Sequence, residues 1–142
     1  MKKLILIPAL VLGMCTGFAQ KIKEADVPAA AKTKLTSLYP NVKTASWEKE
    51  KANYEAEFMN GKEEISVLFD ASGNLIETEV EISVSALPKA VTEYCTKNLG
   101  GKKIKEASKI TEASGKVKYE AEIEKSDYIF DEAGNFIEKK EK

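Results

Sequence analysis

Apolar residues recur along this chain first at helical spacing and then in strict alternation, and the whole progression occurs twice. After Val27-Pro28, Ala31, Leu35, Leu38 and Tyr39 recur with Lys32, Lys34 and Thr36 between them, which predicts an amphipathic helix. Pro28 suits a first helical turn, where its missing N–H costs nothing, and Pro40-Asn41 stops the helix. Extended segments follow. Residues 42–49 place Ala45 and Trp47 on one face, and Tyr54-Glu55-Ala56-Glu57-Phe58 alternates cleanly as a strand does. Asn60-Gly61 is a hairpin signal. Residues 63–69 then carry Ile65, Val67 and Phe69 on one face, and 75–82 set Ile76, Val80 and Ile82 against Glu77, Glu79 and Glu81.

The second pass starts at Leu87-Pro88. Ala90, Val91, Tyr94, Cys95 and Leu99 predict a helix that Gly100-Gly101 ends. Ile104-Lys105-Glu106-Ala107-Ser108 matches Val42-Lys43-Thr44-Ala45-Ser46, Ser114-Gly115 makes a turn, and Tyr119-Glu120-Ala121-Glu122-Ile123 matches the strand at Tyr54. A short strand over 126–130 and a last one starting over 136–139 complete it. The expected fold class is α+β: two tandem αββββ units, 27–84 and 85–142, behind a lead-in at 20–26, forming an antiparallel sheet with its helices on one face. A unit of this size buries little surface alone, so the two are expected side by side. The inward faces are expected to carry Leu35, Leu38, Trp47, Tyr54, Phe58, Ile65, Val67, Phe69, Val80, Val91, Tyr94, Tyr119, Ile123, Tyr128 and Phe130.

Both passes end on one phrase. Phe69-Asp70-Ala71-Ser72-Gly73-Asn74-Leu75-Ile76-Glu77 returns 61 residues later as Phe130-Asp131-Glu132-Ala133-Gly134-Asn135-Phe136-Ile137-Glu138. It reads as a hairpin turn. Asp suits the first turn position, where its carboxylate accepts from the backbone ahead, and Gly three residues on supplies a left-handed conformation and a bulge. The rival reading is a calcium loop. An EF-hand needs Gly at loop position six and Glu at twelve. From Asp70 position six is Leu75; from Asp131 position three is Ala133 and position twelve is Lys142.

Composition adds compartment and removes chemistry. Lys2 and Lys3, an apolar run from Leu4 to Leu12 and Gly17-Phe18-Ala19 form a signal peptide over 1–19, with cleavage expected before Gln20. The run is far short of the ~20 residues that span a bilayer, so no stable membrane anchor is expected. A lipoprotein reading would centre on Cys15, but Met14 stands where a small residue is needed. Losing the leader takes the net charge from −1 to −3 and leaves Cys95 as the one cysteine. It cannot form an internal disulfide, and its apolar-periodic setting makes it a buried small hydrophobe. The chain has no His and no Arg. General acid–base catalysis loses its commonest agent and Ser or Cys nucleophiles their usual base. No Gly-rich phosphate loop precedes a helix. An acidic chain without Arg forks does not suit nucleic acid. No catalytic residue, metal site or cofactor is expected.

The pattern Val-Pro, Leu, Tyr-Pro, Trp, Tyr-Glu-Ala-Glu and Phe-Asp-x-x-Gly-Asn-Leu-Ile-Glu, given twice behind a leader, resembles the PepSY-like domains, similar in fold to the β-lactamase inhibitor protein. The likeness runs from Val27 to Glu138. It implies a periplasmic or secreted protein of tandem αββββ units with a partner-binding sheet, and it carries over no catalytic residues. The second unit departs from the pattern where Lys109 or Ile110 stands near the position of Trp47, and where Gly100-Gly101 replaces Tyr39-Pro40.

Strand alternation places the candidate site. If Tyr54, Ala56 and Phe58 point at the helices, Glu55 and Glu57 point away, and so do Glu64, Ser66 and Leu68, Glu77, Glu79 and Glu81, and Glu120, Glu122, Glu124 and Ile129. Lys49, Lys62 and Lys125 stand nearby to relieve the crowded charge. The expected function is a non-enzymatic exported module that binds a protein partner through this acidic face. The alternative is a periplasmic protein that binds a small ligand or a divalent cation such as calcium. Mature protein recovered from a Gram-negative host is expected to begin at Gln20 without lipid; an intact mass that retains Met1, or acyl chains on Cys15, refutes this.

Overall fold

The computed structural model describes residues 19–142; the leader reading, with Cys15, falls outside them apart from Ala19. Nine strands form one antiparallel sheet in sequence order: β1 (Gln20–Ile22), β2 (Ser46–Glu50), β3 (Asn53–Asn60), β4 (Glu63–Phe69), β5 (Leu75–Ile82), β6 (Glu106–Glu112), β7 (Val117–Ile123), β8 (Ser126–Asp131) and β9 (Phe136–Glu141). Two α-helices, α1 (Ala29–Leu38) and α2 (Lys89–Asn98), each follow a short 3-10 turn and Pro28 or Pro88. The fold is α+β.

Both helices lie on one face, over separate cores. Under α1, Val27, Ala31 and Leu35 meet Trp47, Ala56, Phe58, Ile65, Val67 and Phe69. Under α2, Leu87, Val91 and Cys95 meet Ile104, Ala107, Ala121, Ile123 and Phe130. Cys95 is buried, as its setting predicts, and burial pushes its thiol pKa up, which leaves it unreactive. Of the expected core, Tyr54, Val80, Tyr94, Tyr119 and Tyr128 are only partly buried at the margins. Leu38 is a correction: it is 39 % exposed. It shares the helical period of Leu35 but sits in the last turn, past the edge of the sheet-facing stripe, and Tyr39 takes the contact instead, its ring 4.9 Å from that of Phe58.

The repeated turn ties sheet to helix. Asp70 Oδ1 accepts from the backbone N–H of Ser72 and Asn74 at 2.8 and 2.9 Å, and Oδ2 accepts from Asn74 Nδ2 at 2.8 Å. Asp131 repeats this with Asn135. These bonds hold both carboxyls below their usual pKa, the Asn side-chain amide first among the causes. The carboxylates that a calcium ion would need are thus spent on the turn. Gly73 and Gly134 have φ of +81° and +86°, and each lies against a helix start: a Cβ on Gly73 would come within 2.6 Å of the Ala30 carbonyl carbon, and one on Gly134 within 2.9 Å of Ala90 Cβ. A bulge at Leu68/Phe69, matched at Ile129/Phe130, adds local twist.

Two sequence expectations need correction by register. Gln20–Ile22, read as a lead-in, forms β1, with Ile22 opposite Trp47; three residues are too few for alternation to show. The counterpart of Trp47 is Ala107, not Lys109 or Ile110, because Trp47 pairs with Ala56 and Ala107 with the equivalent Ala121. Phe69→Ala or Phe130→Ala, both fully buried, should cost about 3–5 kcal/mol by urea unfolding, and Leu38→Ala under ~1 kcal/mol; equal midpoints for all three would overturn this assignment of the core.

Candidate functional site

The face opposite the helices is the candidate site. Because Ala56 and Phe58, Ile65, Val67 and Phe69, and Ala121 and Ile123 face the helix layer, their strand neighbours face the other way. Glu55, Glu57, Glu64, Ser66, Leu68, Glu77, Glu79, Glu81, Glu120 and Glu122 therefore share one face. Cross-strand pairs fix their neighbours: Glu55 opposite Leu68, itself opposite Glu77, and Glu57 opposite Ser66, itself opposite Glu79. The register adds residues that strand phase alone had not picked out. Glu48 lies opposite Glu55, Glu79 opposite Ile110, Glu81 opposite Ser108, and Glu122 opposite Glu106 and Asp127.

Glu124 does not belong to this face. It sits at φ +61° in the β7–β8 turn, and Lys102 Nζ holds its carboxylate at 2.9 Å. Lys49 does not relieve the face either. It turns to the helix side, over the Tyr54 ring. Ile129 points to the acidic face as expected, yet it is 2 % exposed, and Ile110 beside Glu79 is 5 % exposed. Neither belongs to the two helix-side cores. Burial there comes from the side chains of neighbouring strands on the same face, Glu79 and Lys118 beside Ile110 and Glu120 and Glu138 beside Ile129.

Burial governs the electrostatics. Glu55 is pushed up to about 7, first by burial and then by Glu79, Glu50, Glu48 and Glu57. Glu120 is pushed up to about 8, by burial and then by Glu79 and Asp127, with Lys142 and Lys140 opposing. Glu79 is also raised, chiefly by burial, against a bond from the Ser108 hydroxyl. These three glutamates, on alternate strands β3, β5 and β7, form a belt in which burial favours the protonated form, near neutral pH for Glu55 and Glu120.

The two halves of the face differ in neutralisation. Among the described residues, Glu55, Glu57, Glu64, Glu77, Glu79 and Glu81 form no ion pair; the ion pairs all lie within 85–142. There Lys142 Nζ bonds to Glu122 and lies 3.1 Å from Asp127 Oδ1, a buried oxygen to which no hydrogen bond is aligned. Lys105 Nζ lies 3.7 Å from Glu122, and Lys118 Nζ 2.5 Å from Glu112. Burial opposes the Lys142 charge, but Glu122 and Asp127 hold its pKa above the usual lysine value.

Concavities on the molecule are small or open. A cleft of ≈ 100 Å³ in the acidic face is lined by Glu64, Ser66, Glu79, Glu81, Glu106 and Ser108. A larger one, ≈ 640 Å³, lies away from the acidic belt, between residues 41–46 and the end of β3 at Glu57–Met59; it gathers no cluster of titratable groups. Among the described residues no three His, Cys, Asp or Glu side chains converge to hold a metal ion, and no helix is long and apolar enough to cross a membrane.

The belt sets a pH dependence. A glutamate whose folded pKa is raised stabilises the fold fully below its unfolded value of 4.5, and that stability is lost as pH rises through the folded values near 7 and 8. Asp70 and Asp131 act in reverse, losing their contribution only as pH falls below their unfolded 3.8. Stability should therefore peak near pH 5 and fall toward pH 8 by up to ~7 kcal/mol, about two pKa units at Glu55 and three at Glu120 at ~1.4 kcal/mol per unit. The Glu55→Gln/Glu120→Gln protein should match wild type at pH 5 and exceed it at pH 8; a gap that does not change with pH overturns the belt.

Comparison with known proteins follows the same lines. No curated protein matches the chain by sequence. Solved structures do. A BLIP-like protein from Bacteroides fragilis NCTC 9343 is 26 % identical, with a TM-score of 0.62 over 80 % of this chain and 86 % of that one. A DUF2874 family protein from Bacteroides uniformis ATCC 8492 is 16 % identical, with a TM-score of 0.71 over 81 % and 89 %. A candidate periplasmic protein from Bacteroides eggerthii DSM 20697 is 15 % identical, with a TM-score of 0.70 over 81 % and 88 %. The sequence profile described as beta-lactamase-inhibitor-like, PepSY-like matches residues 15–77 and again 52–138. With nearly the whole described chain inside those two overlapping matches, the protein belongs to the PepSY-like, β-lactamase-inhibitor-like family.

Proposed function

We propose that this protein is a non-enzymatic binding module of the periplasm that grips another protein through the open acidic face of its sheet, and that it is built from two αββββ units, 27–84 and 85–142. One observation carries this reading: six carboxylates, Glu55, Glu57, Glu64, Glu77, Glu79 and Glu81, share one open face without an ion pair among the described residues. A merely solvated sheet face gains nothing from placing Glu55 opposite Glu48 and Glu77 opposite Glu112, because like charges directly opposite destabilise. A face that meets a basic partner gains association rate and selectivity from the same charges. Leu68, half-buried between Glu55 and Glu77, gives it apolar ground, as interface centres need.

Other features support the same reading. The chain offers no His or Arg to an active site, and the likeness to a BLIP-like protein at 26 % identity favours recognition over catalysis. The leader pattern and the description of the Bacteroides eggerthii neighbour favour the periplasm. The cation reading draws less support, because a hard cation wants 6–8 converging oxygens and these carboxylates are spread along strands. The test is capture from periplasmic extract by the immobilised protein, beside the same protein with Glu55, Glu57, Glu77 and Glu79 changed together to Gln. The variant should keep its fold and lose the partner. A partner bound equally well by both at low salt refutes the face.

A further inference from the structure

The two edges of the sheet are unlike. One ends on β1, three residues long, and a very short edge strand is an ordinary protection against pairing with other chains. The other ends on β9, whose six residues are all exposed and which, among the described residues, pairs with β8 alone. Of the four large apolar side chains exposed among the described residues, two stand on it, Phe136 and Ile137. The repeat gives β9 a counterpart whose same edge is covered. By the 61-residue offset, Phe136 to Lys142 correspond to Leu75 to Glu81, which lie in β5. There β6 runs alongside, from Glu77 opposite Glu112 to Ile82 opposite Ala107, and every residue of β5 except Glu81 is partly buried.

Two backbone bonds fix which groups of β9 face outward. Lys142 N–H donates to the Lys125 carbonyl at 3.1 Å, toward β8. Ile76, the counterpart of Ile137, turns its carbonyl the other way and accepts from Ala113 N–H at 2.8 Å, on the β6 side. Along an antiparallel strand the N–H and C=O of one residue point to one neighbour and those of the next residue to the other. Ile137, Lys139 and Glu141 therefore aim their backbone donors and acceptors away from the sheet. When β9 meets a second β9 antiparallel, one register matches all of these residues to one another: Lys139 opposite its own copy, and Ile137 opposite the second copy's Glu141. The same register sets Glu138 opposite Lys140, twice, on the acidic face. Lysines on an edge strand commonly repel a second strand. Here Lys139 is paired with Glu141, Lys140 with Glu138 and Lys142 with Glu122 inside the chain, so the charge of the strand is largely balanced before anything docks.

We infer that this edge is the interface for a second copy of the chain, joined β9 to β9 about a two-fold axis at Lys139. About six backbone hydrogen bonds close the seam, two for each directly opposed pair of outward residues. Ile137 comes to lie against the stem of the second copy's Glu141, out of water. The lysines at the axis each have Glu141 beside them in their own strand and another diagonally across, within reach of a long side chain. An unrelated strand would have to bring its own matching order of acid and base; a second copy brings it by symmetry. Because residues opposite one another in a sheet share a face, the two sheets join as one, with both acidic faces on the same side. The pairing is isologous, so it uses both β9 edges and closes. One strand pair is a small interface, and the dimer forms as concentration rises. The seam stands apart from the carboxylates proposed to bind a partner and does not depend on that reading.

The experiment is analytical ultracentrifugation of the mature chain from micromolar to millimolar concentration, with amide hydrogen exchange read by NMR at both ends of the range. A reversible monomer–dimer equilibrium is expected. On dimerisation the amides of Ile137, Lys139 and Glu141 should become protected, while those of Glu138, Lys140 and Lys142, which already face β8, should not change. Glu138→Lys or Lys140→Glu alone should weaken the dimer by about ten-fold, because each turns two opposite-charge pairs into like-charge ones. The two changes together restore the pairs and should restore the dimer. Lys139→Pro removes an N–H that faces away from β8, a position where an edge strand accepts proline, and should leave a folded monomer. A monomer at every concentration, protection that skips Ile137, Lys139 and Glu141, single charge changes without effect, or a double change that fails to restore the dimer would each overturn the seam.

Discussion

The structure depends on the close approach between a hairpin turn and a helix start, made twice. Gly73 and Gly134 lie so near Ala30 and Ala90 that no side chain fits between. The turn is rigid because Asp70 and Asp131 spend their carboxylates on its backbone. A rigid turn against the first helical turn fixes where each helix lies along the sheet and which face it covers. The other face is left without a helix layer, and alternation fills much of it with glutamate around the buried Ile110 and Ile129. The repeated phrase is therefore a structural device.

Each half solves the packing under its helix differently. In the first, a strand residue supplies the bulk, with Trp47 centred 6.3 Å from Phe69. In the second, Ala107 stands at that strand position, and the helix supplies the ring instead: Tyr94 meets Phe130 at 5.4 Å and stacks on Phe136 at 5.0 Å. Cores tolerate such exchanges when total volume is kept. A sequence comparison that seeks an aromatic at the same strand position misses this, because the conserved quantity is the space over the Phe that ends β4 or β8.

Much of the fold was legible in the sequence, since strand phase is a property of neighbouring residues. Glu55 and Glu57 had to oppose Ala56 and Phe58, and the structure places them so. What local pattern could not show was the consequence of register and of the neighbours it brings together. Ile129 and Ile110 are buried on a face that alternation marks as open, and Glu55 and Glu120 are desolvated on strands that read as solvated. Lys142 sits at the far end of the sequence from anything that marks Glu122 and Asp127 as its partners; only the pairing of β7, β8 and β9 brings them together. Leu38 shows the opposite limit, where helical period continues one step beyond the sheet beneath it.

The central strand has a mechanical consequence. β5 pairs with β4 on one side and with β6 on the other, from Glu77 opposite Glu112 to Ile82 opposite Ala107. Two cores thus hang from one unbroken ladder, and no flexible linker lies between them. The two halves are one continuous sheet and do not hinge like jaws. In the binding role proposed above, the acidic face would meet its partner preformed and spend little free energy on ordering itself, so that discrimination would come from shape and charge position.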